Sequence, residues 1–467
     1  MKNKRMLAVD IGAGSGRIFC AEFNGEKLTM EESLRFSHRP ATIRKDIYWD
    51  FLAIWNAVYE GISRTADRKG NIDTIGIDSF APDFGMFDAR GYLLGNLLSY
   101  QTVLSEDLSD EILAGKNPWE LFQYSGLQCT NILLLPQLLF LKRTGREWML
   151  AKGKVLPMVN ALNYLLTGIR QMDFTVASIS MLWDSKKKGL SQNLINRYLN
   201  AVDCFEELAE NQSVVGKILP ELAGEHLKET QIVNCGVHDT TVAMYALDSV
   251  AGGQICMNCG TWTAIGVVVD EPVINREAFS LGLTNYGLPD GRYMFGTVLL
   301  GLFYLQKCKE EWELQGDPIS FEKMTELGSA AQKFHVDLNH PILQDSSRPV
   351  TNRIDQYFFE KGLKGPAAKG EYIRCIIESL TDEYRRIVEA LETASGIQYS
   401  GICMGGGGIK NSLLVKLLQR KTGKKVNCMT AEVTVLGNLL SQLAAAGEIK
   451  RGELKDFVSR ALSMEHR

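Results

Sequence analysis

Long apolar runs are missing from this chain. Nowhere do the roughly 18 consecutive apolar residues of a membrane helix occur, so no membrane partner is expected. An excess of one charge is missing too. Lysine and arginine number 51 against 55 aspartates and glutamates, for a net charge of −4 and a pI of about 6.0. No basic stripe dominates, which argues against a nucleic-acid partner. A nucleotide ligand stays open, because phosphate sites are local and use backbone dipoles as well as charge. Proline is sparse, 12 residues in 467, and no Pro-rich linker or low-complexity tract appears. The glycine-rich stretches lack the GK[ST] ending of a Walker A loop.

Clustered cysteine is absent as well. The ten cysteines are scattered, most of them inside apolar runs, as Cys20 and Cys403 are. That fits reduced core thiols in a cytoplasm. Cys256 and Cys259 form the one CxxC pair. It lies in a strand-like run, whereas a redox pair wants a helix N-terminus and zinc wants two further ligands nearby. The basic start, Met1–Arg5, leads into Met6–Val9, which is too short for a signal peptide. A cytoplasmic location is expected.

What is present reads as α/β. With 467 residues the chain is too long for one core. Two domains are expected, 1–246 and 247–467, with the boundary near 244–254, at Met244–Asp248, and Gly252-Gly253 as a turn. Met6–Asp10, Arg17–Phe23 and Lys27–Phe36 read as strands, with Asn24-Gly25 as a hairpin turn. Tyr48–Arg64 carries Phe51, Ile54, Trp55, Val58 and Ile62 at helical spacing. Thr74–Asp78 reads as a short buried strand. Tyr372–Ser395, Asn411–Thr422 and Ala431–Gly447 read as helices. Ile255–Met257 and Ala264–Val269 flank a second turn, and this repeats the strand–turn–strand logic of residues 6–23.

Four short stretches carry chemistry. Asp10-Ile11-Gly12-Ala13-Gly14-Ser15-Gly16-Arg17 is a glycine-rich turn between apolar strands. Gly12, Gly14 and Gly16 allow positive φ and close approach of a ligand to the backbone. Such a turn can hold a phosphate on its N–H groups, with Ser15 as a further donor and Arg17 as a bidentate cation. Asp10 can hold Mg²⁺ through water. The plainer reading, an ordinary hairpin turn, is equally good for this stretch alone. Gly236-Val237-His238-Asp239-Thr240 follows a strand and opens a helix. Asp239 can take a proton from a hydroxyl, or simply cap the helix; His238 alone reads as a packed histidine. Gly260-Thr261-Trp262-Thr263 is a second tight turn, with Trp262 expected in the core. Gly405–Gly408 lets a flat ligand face approach the backbone before a helix.

In this order the four stretches resemble the FGGY family of carbohydrate kinases, and within it the rhamnulokinase branch, from about Leu7 to about Ile449. The resemblance implies a two-lobed actin-like, ribonuclease-H-like sugar kinase fold with the active site in the interlobe cleft. It implies ATP and Mg²⁺, and a small-molecule sugar as substrate. Asp239 becomes the general base and Asp10 the Mg²⁺ residue. ATP is then expected at Ala13, Gly14, Ser15, Gly16 and Arg17, at Thr261 and Gln306, and at Gly407, where the family places the adenosine. The sugar is expected at Ala81, Asp83, His238 and Thr240.

The sugar side departs from that pattern. Rhamnulokinases carry Trp-Gly-Val-Asp-Phe where this chain has Phe80-Ala81-Pro82-Asp83-Phe84. Their Tyr-Arg-Asp is Tyr100-Gln101-Thr102 here, and a sugar-contacting Asn is replaced by Val298. Their Pro-Phe-Asn-Thr is Asn131-Ile132-Leu133-Leu134, and a Pro-Asp pair is Val159-Asn160. A pocket built around particular hydroxyls discriminates strongly when a partner changes. Two readings follow: an ATP-dependent kinase of a small sugar, and a non-catalytic sugar- or nucleotide-binding regulatory relative. Retention of Asp10, Arg17, Asp239 and Thr261 favours the first. The oligomeric state, a homodimer included, is not legible.

Overall fold

A computed structural model describes residues 3–104, 106–345 and 347–462. The outer ends of the two expected domains, 1–2 and 463–467, lie outside the described residues. Contacts divide the chain into two units. The first takes Met1–Gly252, Val268–Phe295 and Thr434–Arg467; the second takes Gly253–Val267 and Gly296–Val433. The units are thus discontinuous in sequence, whereas the sequence division was drawn as one cut after residue 246.

The first unit is built on a six-stranded sheet. Its strands are β1 (Lys4–Ile11), β2 (Ser15–Phe23), β3 (Leu28–Ser37), β4 (Thr74–Ser79), β5 (Ser213–Lys217) and β6 (Gln231–Asn234). They lie in the order β5-β6-β4-β1-β2-β3. β1 to β3 are antiparallel neighbours, while β4 runs parallel to both β1 and β6. β1 and β4 are nearly continuous apolar runs, and both are buried along almost their whole length. That is what an inner strand covered on both faces requires. Asn24 closes the β2–β3 hairpin by accepting from Glu26 N–H and Lys27 N–H.

Helix α1 (Phe51–Lys69) starts where the Asp50 side chain accepts from Ala53 N–H. It buries Phe51, Ile54, Val58 and Ile62, the face its spacing predicts. A one-turn helix, α2 (Phe174–Ala177), and α3 (Asp239–Ala251) complete the frame of the site. α3 runs straight through Met244–Asp248, so the chain stays helical there. The turn falls after it, at Gly252.

The second sheet is also six-stranded: after the edge strand Thr284–Gly287 come β7 (Ile255–Cys259), β8 (Trp262–Val269), β9 (Tyr293–Leu300), β10 (Gly401–Gly405) and β11 (Lys425–Cys428), in the order β9-β8-β7-β10-β11, and all of it but Val268–Phe295 is counted with the second unit. β7 is antiparallel to β8 and parallel to β10, and β10 is parallel to β11. Its helices are α4 (Phe303–Leu314), α5 (Lys369–Ser395) and α6 (Ser412–Thr422). Helix α7 (Val433–Ala445) follows; from Thr434 onward it belongs to the first unit.

Candidate active site

In the first unit one row of charge crosses the sheet. Asp10, at the end of β1, stands opposite Arg17 on β2 and beside Asp78 on β4. Register neighbours present their side chains to the same face. Arg17 Nη2 donates to Asp10 Oδ2 at 2.6 Å. Asp78 is fully buried and accepts from Asn438 Nδ2 on α7 at 2.6 Å. The amide is fixed in turn: Gln442 Nε2 donates to Asn438 Oδ1, and the Thr74 hydroxyl donates to Gln442 Oε1. Asp78 Oδ1 has no partner among the described residues. Burial, then the nearby charges of Asp10 and Asp239, push the Asp78 carboxyl well above the ordinary carboxylate range.

Between β1 and β2 the turn is closed by Gly12 N–H donating to Ser15 C=O at 2.9 Å. Ala13 and Gly14 at its tip are exposed and Ser15 is half-buried. No glycine of this turn adopts positive φ. What demands Gly16 is packing, because a Cβ there would lie 2.1 Å from the Phe36 ring. His38, buried, makes a 2.8 Å hydrogen bond between its Nε2 and Gly12 C=O and so fixes the base of the turn.

Asp239 is the first residue of α3, and the cap position belongs to His238. The Asp239 carboxylate accepts from Thr240 N–H, the N2 amide of α3, and from the Thr240 hydroxyl. Its side chain keeps 28% exposure, and partial burial raises its pKa above the ordinary value. His238 is buried, and burial lowers its pKa to about 4, so it is neutral near pH 7. Gly236 has φ +85°, and a Cβ there would meet Pro289 at 2.6 Å. This is a glycine that both the conformation and the packing require.

The expected sugar residues separate by environment. Ala81 is half-buried, next to Phe80. Asp83 is 1% exposed, and protein donors reach both of its oxygens: Trp49 Nε1–H and Tyr100 N–H. Burial pushes its carboxyl up to about 7.

In the second unit Thr261 and Gln306 meet, the Thr261 hydroxyl donating to Gln306 Oε1 at 2.9 Å. The start of α4 holds this turn, with Gly301 N–H donating to Thr261 C=O and Leu302 N–H to Gly260 C=O. Trp262 is 44% exposed and does not enter the core. The buried residue of this turn is Thr263, whose hydroxyl shares a 2.9 Å hydrogen bond with Tyr384. Gly406 has φ +80° and lies against Cys259, while Gly407 is exposed with open space around its Cα. Asn411 accepts from Leu414 N–H and caps α6. Cys256 and Cys259 are buried, and burial raises Cys259 to about 11, which disfavours a reactive thiolate.

Asp78 and His38 were missed from sequence. Asp78 had a signal: Ile77-Asp78 ends a buried strand as Val9-Asp10 does. His38 sits in unremarkable local sequence, and only its hydrogen bond to Gly12 C=O singles it out.

Two mixed sheets, one carrying a row of two carboxylates and an arginine, give the two-domain fold of the actin-like kinase class. Family models confirm the class. The N-terminal domain of the FGGY family of carbohydrate kinases matches residues 5–246 and its C-terminal domain 255–446. The chain belongs to the FGGY family of carbohydrate kinases. It is an ATP-dependent sugar kinase, a phosphotransferase that acts on a sugar hydroxyl. Among its relatives, a rhamnulokinase of Oceanobacillus iheyensis is 28% identical over 95% of this chain and 93% of its own. One from Bacteroides thetaiotaomicron is 29% identical over 99% and 95%. Among solved structures, a gluconate kinase from Lactobacillus acidophilus superposes with TM-score 0.79 at 17% identity, over 100% of this chain and 96% of that one. Plasmodium falciparum glycerol kinase with ADP gives 0.78 at 16% identity, over 97% and 92%. These two bear names of different substrates, so likeness of fold does not choose the sugar.

Proposed function

We propose that this kinase phosphorylates a small ketose or polyol related to L-rhamnulose, with Asp239 as general base. The carrying observation is the carboxylate of Asp239. It opens α3, stays partly exposed, and burial raises its pKa above the ordinary carboxylate value, the direction that strengthens a base. Asp239 orients the attacking hydroxyl and accepts its proton late in transfer, since phosphoryl transfer is mostly positioning and charge stabilisation. His238, neutral, and Thr240 contact the sugar beside it. Arg17, Ser15 and the N–H groups of Ala13, Gly14 and Gly16 bind phosphate oxygens. Thr261, Gln306 and Gly407 bind the nucleotide.

The first unit also suits Mg²⁺. Asp10 and Asp239 place negative charge beside Asp78, whose Oδ1 is buried without a partner among the described residues, and Arg17 pairs with Asp10. Among the described residues no group of three or more His, Cys, Asp or Glu side chains makes a closed metal cage. Mg²⁺ needs none, because it keeps waters and takes one or two carboxylates plus phosphates. Asp10 would hold it, and when bound it neutralises charge on the transferring phosphate.

The substituted sugar side supports a preference other than L-rhamnulose. Several of the residues that differ from the rhamnulokinase pattern spend their polar groups on the protein itself. The Thr102 hydroxyl bonds Ile47 N–H and C=O, Asn131 Nδ2 donates to Glu106 C=O, and Asn160 Oδ1 accepts from Asp173 N–H, while Asn160 Nδ2 has no partner among the described residues. An unmet sugar hydroxyl costs roughly 1–3 kcal/mol, so two or three would lower kcat/KM by orders of magnitude. The test is ADP release with ATP, Mg²⁺ and L-rhamnulose, fuculose, xylulose, ribulose and erythritol. Sugar-dependent ADP release with another ligand ahead of L-rhamnulose is expected. L-Rhamnulose as the best substrate would make the substitutions neutral, and no sugar-dependent release would favour the regulatory reading.

A further inference from the structure

Asp239 is a base with little of its own to hold it. Among the described residues both hydrogen bonds its carboxylate takes come from Thr240, the next residue in the chain, with His238 Nε2 3.9 Å away. Its position is therefore inherited from the backbone that precedes it. That backbone is held on both sides of Val237, and a parallel bridge pairs His238 with Ser79. Val237 C=O accepts from Ser79 N–H at 3.0 Å, which ties it to the end of β4. Val237 N–H points the other way, to Thr175 Oγ1 at 3.2 Å and, more weakly, to Asp173 Oδ1 at 3.4 Å.

The direction of these bonds matters. Thr175 donates both its hydroxyl and its N–H to Asp173 Oδ1. Its hydroxyl proton is thus committed, and what faces Val237 N–H is a lone pair. Asp173 is itself seated, with its N–H donating to Asn160 Oδ1. Thr175, Ser79, Asp173 and Val237 are each at most 2% exposed, so water does not compete for these groups. Gly236, at φ +85°, turns the chain into this grip from β6.

We propose that Thr175, oriented by Asp173, is a positioning residue for phosphoryl transfer: by holding Val237 N–H it fixes where the Asp239 carboxylate stands. The proposal rests on reading Asp239 as the general base. Thr175 touches no reacting atom. Its effect falls on the alignment of the base, where an error of about 1 Å can cost on the order of 10²-fold in rate.

The experiment is steady-state kinetics on the full-length protein with its best sugar, for Thr175→Val, Thr175→Ser and Asp239→Asn. Val keeps the shape and removes the hydroxyl, and Ser restores it. Thr175→Val is expected to lower kcat about 10- to 100-fold while KM for sugar and for ATP stay within about two-fold, and Thr175→Ser to recover most of kcat. If Thr175→Val keeps kcat within about two-fold of the parent while Asp239→Asn loses it, the clamp is wrong and the base stands. If Asp239→Asn also keeps its rate, the base reading itself fails. A parallel rise in both KM values, tracking a lower melting temperature, would mark Thr175 as structural only and overturn the proposal. Amide hydrogen exchange on the unmodified protein gives a reading independent of whether the variants fold. The clamp requires Val237 N–H to exchange only through global opening, and rapid exchange there refutes it.

Discussion

The two hairpin turns, Gly12–Ser15 in the first unit and Gly260–Trp262 in the second, occupy corresponding places in two six-stranded sheets that match over five strands, β3-β2-β1-β4-β6 and β9-β8-β7-β10-β11. Their chemistry differs. The first is flanked by an ion pair, Arg17 with Asp10, next to the buried Asp78. The second is flanked by a neutral pair, the Thr261 hydroxyl with Gln306. The duplicated strand order shows that the frame alone does not assign a task. Charge in the first unit suits a group on which charge develops during transfer. A neutral hydroxyl in the second suits a ligand held equally before and during transfer, which shows in affinity rather than turnover.

Arg17→Met separates the two most sharply. Removing a preorganised cation from a site of developing charge costs about 10²- to 10³-fold in kcat. Steady-state kinetics at saturating ATP measures it, and a loss below about ten-fold would mean that Arg17 serves mainly to hold Asp10. Thr261→Val is expected to do less. Loss of one neutral hydrogen bond is worth about 0.5–1.5 kcal/mol, hence a rise of about 2- to 13-fold in KM for ATP with kcat little changed. A large fall in kcat with unaltered KM would erase the contrast between the turns.

The smallest effect lies on the sugar side and concerns stability. Burial lifts Asp83 to about 7, against an ordinary value of about 4. Between those pH values the folded protein keeps a proton that the unfolded chain has released. The contribution of this group to stability therefore declines as pH rises from about 4 to about 7 and is level outside that window. Asp83→Asn removes that decline, so the variant's melting temperature should fall less steeply across the window. Equal slopes for the two proteins would show that Asp83 ionises normally.

Much of this was legible in the sequence. β1, β2, β3 and α1 follow from short apolar runs, Asn24-Gly25 and the spacing of Phe51, Ile54, Val58 and Ile62. Asp10 and Asp239 stand out because acids that end buried strands or open helices are conspicuous. Trp262 misled, because a large apolar side chain in a tight turn has no neighbours over it. The turn glycines misled differently, since Gly16 is demanded by Phe36, 20 positions along the chain on the facing strand. Asp78 and Thr175 depend on Asn438 and Val237, partners 360 and 62 residues away, and no local pattern encodes such pairs.

The central claim is that Asp239 takes the proton from the sugar hydroxyl. Asp239→Asn, measured for ADP release beside nucleotide binding and thermal unfolding, tests it most directly. Turnover should drop roughly 10²- to 10⁴-fold, with the fold and the affinity for nucleotide retained. Turnover near the parent rate would contradict the account and leave Asp239 as merely the first residue of a helix.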